Sequence, residues 1–179
     1  MEASRGDTVA LTSANGFVEL PVSPLINAVA TTASKLAVFW CRATSNAMSD
    51  PTVGAVADHQ AGVILTWRGC RATGNPWDVI GTSVVDVTTT TPSAPAVTTT
   101  VPNTCIVSII SRGVSTAIGQ FSAWTGGATE RFDAGTANGN GGGVGVADYT
   151  YTGPGTTTAI SATLSNTSVY CAMTLALRG

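Results

Sequence analysis

Apolar and polar residues alternate with a period of two along much of this chain, and no window carries apolar residues at three-four spacing for long enough to predict a helix. Strands are predicted at 8–11, 16–22, 35–43, 61–68, 83–88, 94–100, 104–112, 119–124, 130–133, 144–151, 156–165 and 168–178. The last is the clearest. Val169, Cys171, Met173, Leu175 and Leu177 share one face, with smaller or more polar residues on the other, so this end of the chain belongs in a sheet. Residues 36–41 (Leu-Ala-Val-Phe-Trp-Cys) and 105–110 (Cys-Ile-Val-Ser-Ile-Ile) are apolar on both faces and are expected as central strands.

Between these runs the punctuation is that of turns. The Gly153-Pro154-Gly155 turn is expected to join the strand at 144–151 to the next, so that 144–178 forms a run of three strands, in part a meander. Asn138-Gly139-Asn140-Gly141-Gly142-Gly143 reads as a loop, because Gly and Asn adopt positive φ cheaply. Only 23–34 is allowed a short helix. Residues 87–101, almost pure Thr, Pro, Ser, Ala and Val, are expected as an edge hairpin bordered by Pro92, Pro95 and Pro102, since strands flank them on both sides. Many short strands separated by such turns predict an all-β fold, a two-sheet antiparallel sandwich of jelly-roll type. Residues 1–34 are expected as an extended N-terminal arm or the first strands, and 35–179 as the β-sandwich domain.

Composition narrows the possible partners. The 179 residues suit one domain, and only 10% are charged, against roughly 25% in an ordinary soluble protein. Eight Lys and Arg face ten Asp and Glu, which is no footprint for nucleic acid. A surface so poor in charge resists self-association weakly, which points to life in an assembly and to a homo-oligomer. The start, Met1-Glu2-Ala3-Ser4-Arg5-Gly6-Asp7, lacks the basic and apolar segments of a signal peptide, and no apolar run approaches the ~20 residues of a membrane-spanning helix. Synthesis in a cytosol is therefore expected, and no membrane partner. Cys41, Cys105 and Cys171 fall in apolar strands and are expected as packed, unpaired thiols. Cys70, between Arg68 and Arg71, is the thiol expected to be most reactive.

Asp58-His59 lacks a serine in a nucleophile-elbow context, so both are expected as solvated loop residues. Glu130 and Asp133 have the residue types of a glycosidase pair, but Arg131 between them predicts a local salt-bridged loop. The cysteines lie too far apart in sequence for zinc-ligand spacing, and the glycine run has neither the Lys-Ser/Thr pair nor the following helix of a phosphate loop. No catalytic, cofactor or metal site is predicted, and no enzyme. Candidate surface contacts are Trp77, in the Gly74-Asn75-Pro76 turn region, and Trp124, at a strand end, with Asn140 and Gly141 of the glycine run. Trp40 and Trp67 are expected in the core.

The order of several phrases carries a resemblance. These are the apolar strand at 36–41, Val63-Ile-Leu-Thr-Trp-Arg-Gly69, Thr98-Thr-Thr-Val-Pro-Asn-Thr-Cys-Ile-Val107, Ala128-Thr-Glu-Arg-Phe-Asp133 and the closing Leu175-Ala-Leu-Arg178. Over about 35–178 the chain resembles β-sandwich structural proteins of tailed-bacteriophage virions, of the head-decoration and fibre-associated type. The resemblance implies a virion component made in the host cytoplasm and bound to capsid or tail proteins or to its own copies. A carbohydrate-binding tip that recognises a host surface glycan is the alternative. No collagen-like repeat or coiled-coil heptad extends the likeness to a long fibre shaft.

Overall fold

The structure, a computed structural model, describes residues 1–4, 9–27, 33–54, 59–113, 121–138 and 141–179. Among them the chain is all-β, and five long strands form its centre: β1 (Trp77–Thr89), β2 (Thr104–Arg112), β3 (Thr129–Thr136), β4 (Gly142–Tyr151) and β5 (Ser168–Arg178). They make one antiparallel sheet in the order β3-β4-β2-β5-β1. Strand β2 sits in the middle, with Ile109 opposite Val146 on one side and Met173 on the other. Its apolar sequence on both faces is what a middle strand covered on both sides requires.

Alternation sorts the side chains of this sheet onto two unlike faces. One is large and greasy: Val107 and Ile109 of β2, Val144 and Val146 of β4, and Cys171, Met173, Leu175 and Leu177 of β5 form a core with Leu20, Leu25 and Leu36. Its cover is the N-terminal part of the chain, folded into short pairings. Glu2–Ser4 lies between Ser34–Leu36 and Gln60–Ala61, Leu25–Ile26 pairs with Ser34–Leu36, Val18–Glu19 with Phe39–Trp40, and Leu11–Ser13 with Thr52–Val53. A buried chain of hydroxyls ties this cover to the sheet. Ser34 Oγ donates to Ser111 Oγ at 2.8 Å, and Ser111 Oγ donates to the Cys171 carbonyl at 3.3 Å.

The opposite face mixes the small residues Ala172 and Ala176 of β5, Ser108 of β2 and Gly145 of β4 with the larger Ile106 and Ile110 of β2 and Tyr170 of β5. Its cover is a set of short strand pairings. Ser93–Ala94 pairs with Ile160–Ser161, Thr98–Thr99 with Gly155–Thr156, and Phe121–Ser122 with Thr163–Leu164. Thr174 Oγ1 donates to the Pro95 carbonyl at 2.7 Å, joining this cover to β5. The sandwich thus has three layers, and β5 is buried on both faces along nearly its whole length.

Several expectations change in detail. The 36–41 run is apolar on both faces but is not in the central sheet. It divides into Ser34–Leu36 and Phe39–Trp40 within the greasy-face cover, sending Leu36, Val38 and Trp40 to the main core and Ala37 and Phe39 to a small cluster with Val9 and Met1. The short helix at 23–34 is replaced, where described, by the pairing of Leu25–Ile26 with Ser34–Leu36; 28–32 lie outside the described residues. The described part of 1–34 is folded against the sheet, with Leu20 and Leu25 in the main core. Residues 93–99 pair with 155–161 rather than with each other, so the expected hairpin is two strands of a cover. The same pairings take 155–164 off the central sheet, and β2 separates β4 from β5, so 144–178 is no meander. Gly142 and Gly143 belong to β4 and not to a loop. Gly143 and Gly145 are glycine because other groups lie across the strand: a Cβ on Gly143 would come within 3.0 Å of the Arg112 guanidinium, and one on Gly145 within 2.7 Å of the Phe121 ring.

Candidate functional site

Residues 60–68 are the place where strand pattern and strand pairing part company. The pairing with Glu2–Ser4 stops at Ala61, yet the alternation continues: Val63, Leu65 and Trp67 are half-buried, while Gly62, Ile64 and Thr66 are exposed. The inward three pack on the edge of the greasy core. No backbone hydrogen bond joins 62–67 to another strand among the described residues. The predicted strand at 61–68 is therefore strand-like in pattern but paired only at its start. Peptide groups of a segment like this need water or another chain as partner.

Two cavities flank this segment. On one side lies an apolar cavity of about 470 Å³, bordered by Phe17, Phe39, Val53, Ile64, Leu65 and Val146 among others. On the other is a polar notch of about 320 Å³, formed by Leu65, Thr66, Trp67, Arg68, Arg131 and Asp148. In the notch Trp67 Nε1 donates to Asp148 Oδ2 at 2.8 Å, while Arg131 Nε and Nη2 donate to Asp148 Oδ1 at 2.9 and 2.8 Å. The Asp148 side chain is buried and that of Arg131 is 50% exposed. The bond to Asp148, then its charge, pushes the Arg131 guanidinium up from its ordinary value. With one carboxylate occupied by a tryptophan and an arginine, the notch presents net positive charge through Arg131 and the exposed Arg68. Arg42 and Arg71 are not part of the notch lining; Arg42 Nη2 donates to the Arg71 carbonyl at 2.7 Å.

The thiols here are poor nucleophiles. Burial pushes Cys70 up, and the cation that opposes it is Arg42, not the flanking Arg68 or Arg71. The arginines flanking Cys70 in sequence therefore do not activate it, although its upward push is smaller than those of Cys105 and Cys171. Cys105 is pushed up to about 11, by burial first and then by Asp148 and Cys70. Cys171, fully buried, is pushed up to about 12 by burial. All four cysteines are free.

The structure scatters the residues singled out from sequence. Trp77 is not in a loop; it opens β1, opposite Leu177, and meets the Trp40 ring edge-on at 5.1 Å. Trp124 stacks on Phe121 at 5.8 Å, and its Nε1 donates to Glu130 Oε2 at 2.8 Å. Gly141 is buried rather than a surface contact, at φ +63°, and its N–H donates to the Asn138 carbonyl at 2.9 Å. Asn140 lies outside the described residues, as does Asp58. His59 is buried, contrary to the solvated loop expected. Asp133 Oδ2 accepts the Phe121 N–H at 3.0 Å. Arg131 reaches Asp148 on the neighbouring strand rather than Glu130 or Asp133, so the local salt-bridged loop is instead a cross-strand pair on β3 and β4. The Trp67–Arg131–Asp148 cluster was missed because its members are 17 or more residues apart. One signal was present in the sequence. Ile64 interrupts the alternation of 61–68 with an apolar residue on the outward side.

A second polar cluster holds the other end of the sheet. Asp78 Oδ2 accepts the Thr100 N–H at 2.5 Å, and Oδ1 accepts Thr100 Oγ1 at 2.7 Å and Arg178 Nη2 at 2.6 Å. The Asp78 side chain is 1% exposed. Burial opposes its ionisation, but these bonds outweigh burial and hold the carboxyl below its ordinary value. This clasp ties β1 and β5 to the small-face cover.

Comparison with protein-family models, with curated proteins and with solved structures found no match to this chain.

Proposed function

We propose that this chain is a non-enzymatic structural component of a tailed-phage virion, one that decorates or cements the head by binding capsid proteins and its own copies. The observation that carries the reading is the condition of its edges. A strand-like segment at 62–67 and a long outer strand, β1, neither with a further strand partner among the described residues, belong to a chain with little charge to keep others away. Edges of this kind are templates for association unless charge, proline or a cover blocks them. The resemblance in strand order over about 35–178 supplies the phage setting. The rings of Trp77 and Trp124, both half-buried, pack on Trp40 and Phe121, which favours a packing role for them over the glycan alternative. The test is the composition of purified tailed-phage particles from the chain's source. Peptides of this chain at a copy number near that of the major capsid protein are expected, and their absence from particles would contradict the reading.

A further inference from the structure

The greasy face of the sheet and its N-terminal cover do not meet everywhere. Between Ile109, Val144 and Val146 of the sheet and Phe17, Phe39 and Val53 of the cover lies the apolar cavity of about 470 Å³, within the range of volumes that hold small organic ligands. Close packing is the rule in protein interiors, and an apolar space that is left open takes up apolar molecules more readily than water. Among the described residues that line it, two carry a side-chain N–H, Gln60 and Trp67. The Trp67 N–H is committed to Asp148. Gln60 Nε2 is buried and has no hydrogen-bond partner among the described residues. Pairing with Ala3 fixes the backbone of Gln60 at the start of the 60–67 segment, so this donor has a set place at the cavity wall.

We propose that this cavity binds an uncharged small molecule with an apolar body and one oxygen acceptor, an alcohol, ketone or ester, whose oxygen accepts from Gln60 Nε2. Burial against the apolar walls favours the body, and the amide sets its orientation, the usual division of roles in a ligand pocket. A buried N–H without a partner is unfavourable, and a ligand that brings an acceptor relieves it. Charge on the ligand is disfavoured. No Lys, Arg, Asp or Glu side chain is among the described residues that line the cavity, and the Met1 ammonium at its border donates to the Ala37 carbonyl at 2.7 Å. A carboxylate entering here gives up its water without gaining an ionic side-chain partner. The inference concerns the space inside the greasy-face cover and stands apart from the virion reading.

The test titrates the full chain with N-phenylnaphthylamine, an uncharged apolar fluorophore, and then displaces it with decanol or with decanoate held well above its own pKa. Two variants, Val53→Trp and Gln60→Leu, are checked for folding by circular dichroism and titrated in the same way. The wild type should bind the fluorophore saturably, one per chain, and decanol should displace it at about tenfold lower concentration than decanoate. Val53→Trp fills the cavity and should abolish binding. Gln60→Leu keeps the apolar walls, so the fluorophore should bind as before while decanol weakens about fivefold. The last pair of results separates a lost donor from a damaged fold, and it decides the matter even where Val53→Trp does not fold. A cavity that holds only water gives no saturable signal, which overturns the proposal. So does a folded Val53→Trp that binds as the wild type does, decanoate displacing as well as decanol, or decanol binding unchanged in Gln60→Leu.

Discussion

The two faces of the central sheet differ most along β5, which sends Cys171, Met173, Leu175 and Leu177 to one and Ala172, Thr174 and Ala176 to the other. On the greasy face, Met173, Leu175, Ile109 and their neighbours hold the cover at side-chain distance, and the cover breaks into short pairings beside a cavity of about 470 Å³. On the small face of β5, Ala172 and Ala176 lie beside Ile106, Ile110 and Tyr170 under a cover of three short pairings. There the Ala162 N–H reaches the Pro92 carbonyl at 3.0 Å and the Leu164 N–H the Thr90 carbonyl at 2.7 Å, binding the cover's own segments together. One strand, β5, serves both faces. The comparison teaches that both faces bury large apolar side chains, and that β5 adds bulk to one and, on the other, small residues beside Ile106 and Ile110 of β2.

The most severe break is expected on the greasy face. Met173→Ala deletes a fully buried side chain that the loosely paired cover cannot replace, and should cost about 3 kcal/mol in a urea titration. A loss under about 1 kcal/mol would mean that the cover collapses to fill the space. The small face should fail the opposite way, by overpacking. Gly145→Val places a Cβ within 2.7 Å of the Phe121 ring and should cost about 2 kcal/mol.

Much of this contrast was legible in the sequence, because the side-chain period of a strand is two. The greasy and small faces of 168–178 could be read directly, as could the middle place of 104–112. What covers each face could not. The 36–41 run and 105–110 look alike as strings, since both are apolar on both faces, yet one lies in a cover and the other in the sheet. Their difference depends on which segment supplies hydrogen bonds, and hydropathy does not record that. The Thr- and Pro-rich 93–99 stretch was legible as strand, but its partner at 155–161 lies about sixty residues away. The glycines of 142–145 mislead for a physical reason. Local sequence reports their freedom to turn, whereas Phe121 and Arg112, which need the space, come from elsewhere. The notch at Asp148 was illegible for the same reason, its three partners coming from three separate segments.

Smaller effects sharpen the contrast. Asp78 ties the small-face cover to β1 and β5, and Asp78→Asn should cost about 1.5 kcal/mol. Its folded carboxyl ionises at lower pH than the unfolded one. The stability it contributes is therefore complete above the unfolded value, near pH ~4, and is lost as pH falls through the folded value. The acid limb of stability against pH should flatten in the variant; an unchanged limb would remove Asp78 from the account. The smallest effect is a gain. Val146→Ile adds one methylene beside the cavity and should stabilise by about 0.5 kcal/mol, whereas Ala172→Val on the small face should destabilise. Equal signs at the two sites would show that the faces are packed alike.

The central claim is that the sheet is covered on both faces, while 62–67 lies on the greasy-face cover with no strand partner among the described residues. Hydrogen exchange on the full chain tests it most directly. The account predicts that amides of 104–110, in the middle strand, are the slowest to exchange. Those of 62–67 should exchange quickly. Protection of 62–67 equal to that of 104–110 would contradict it.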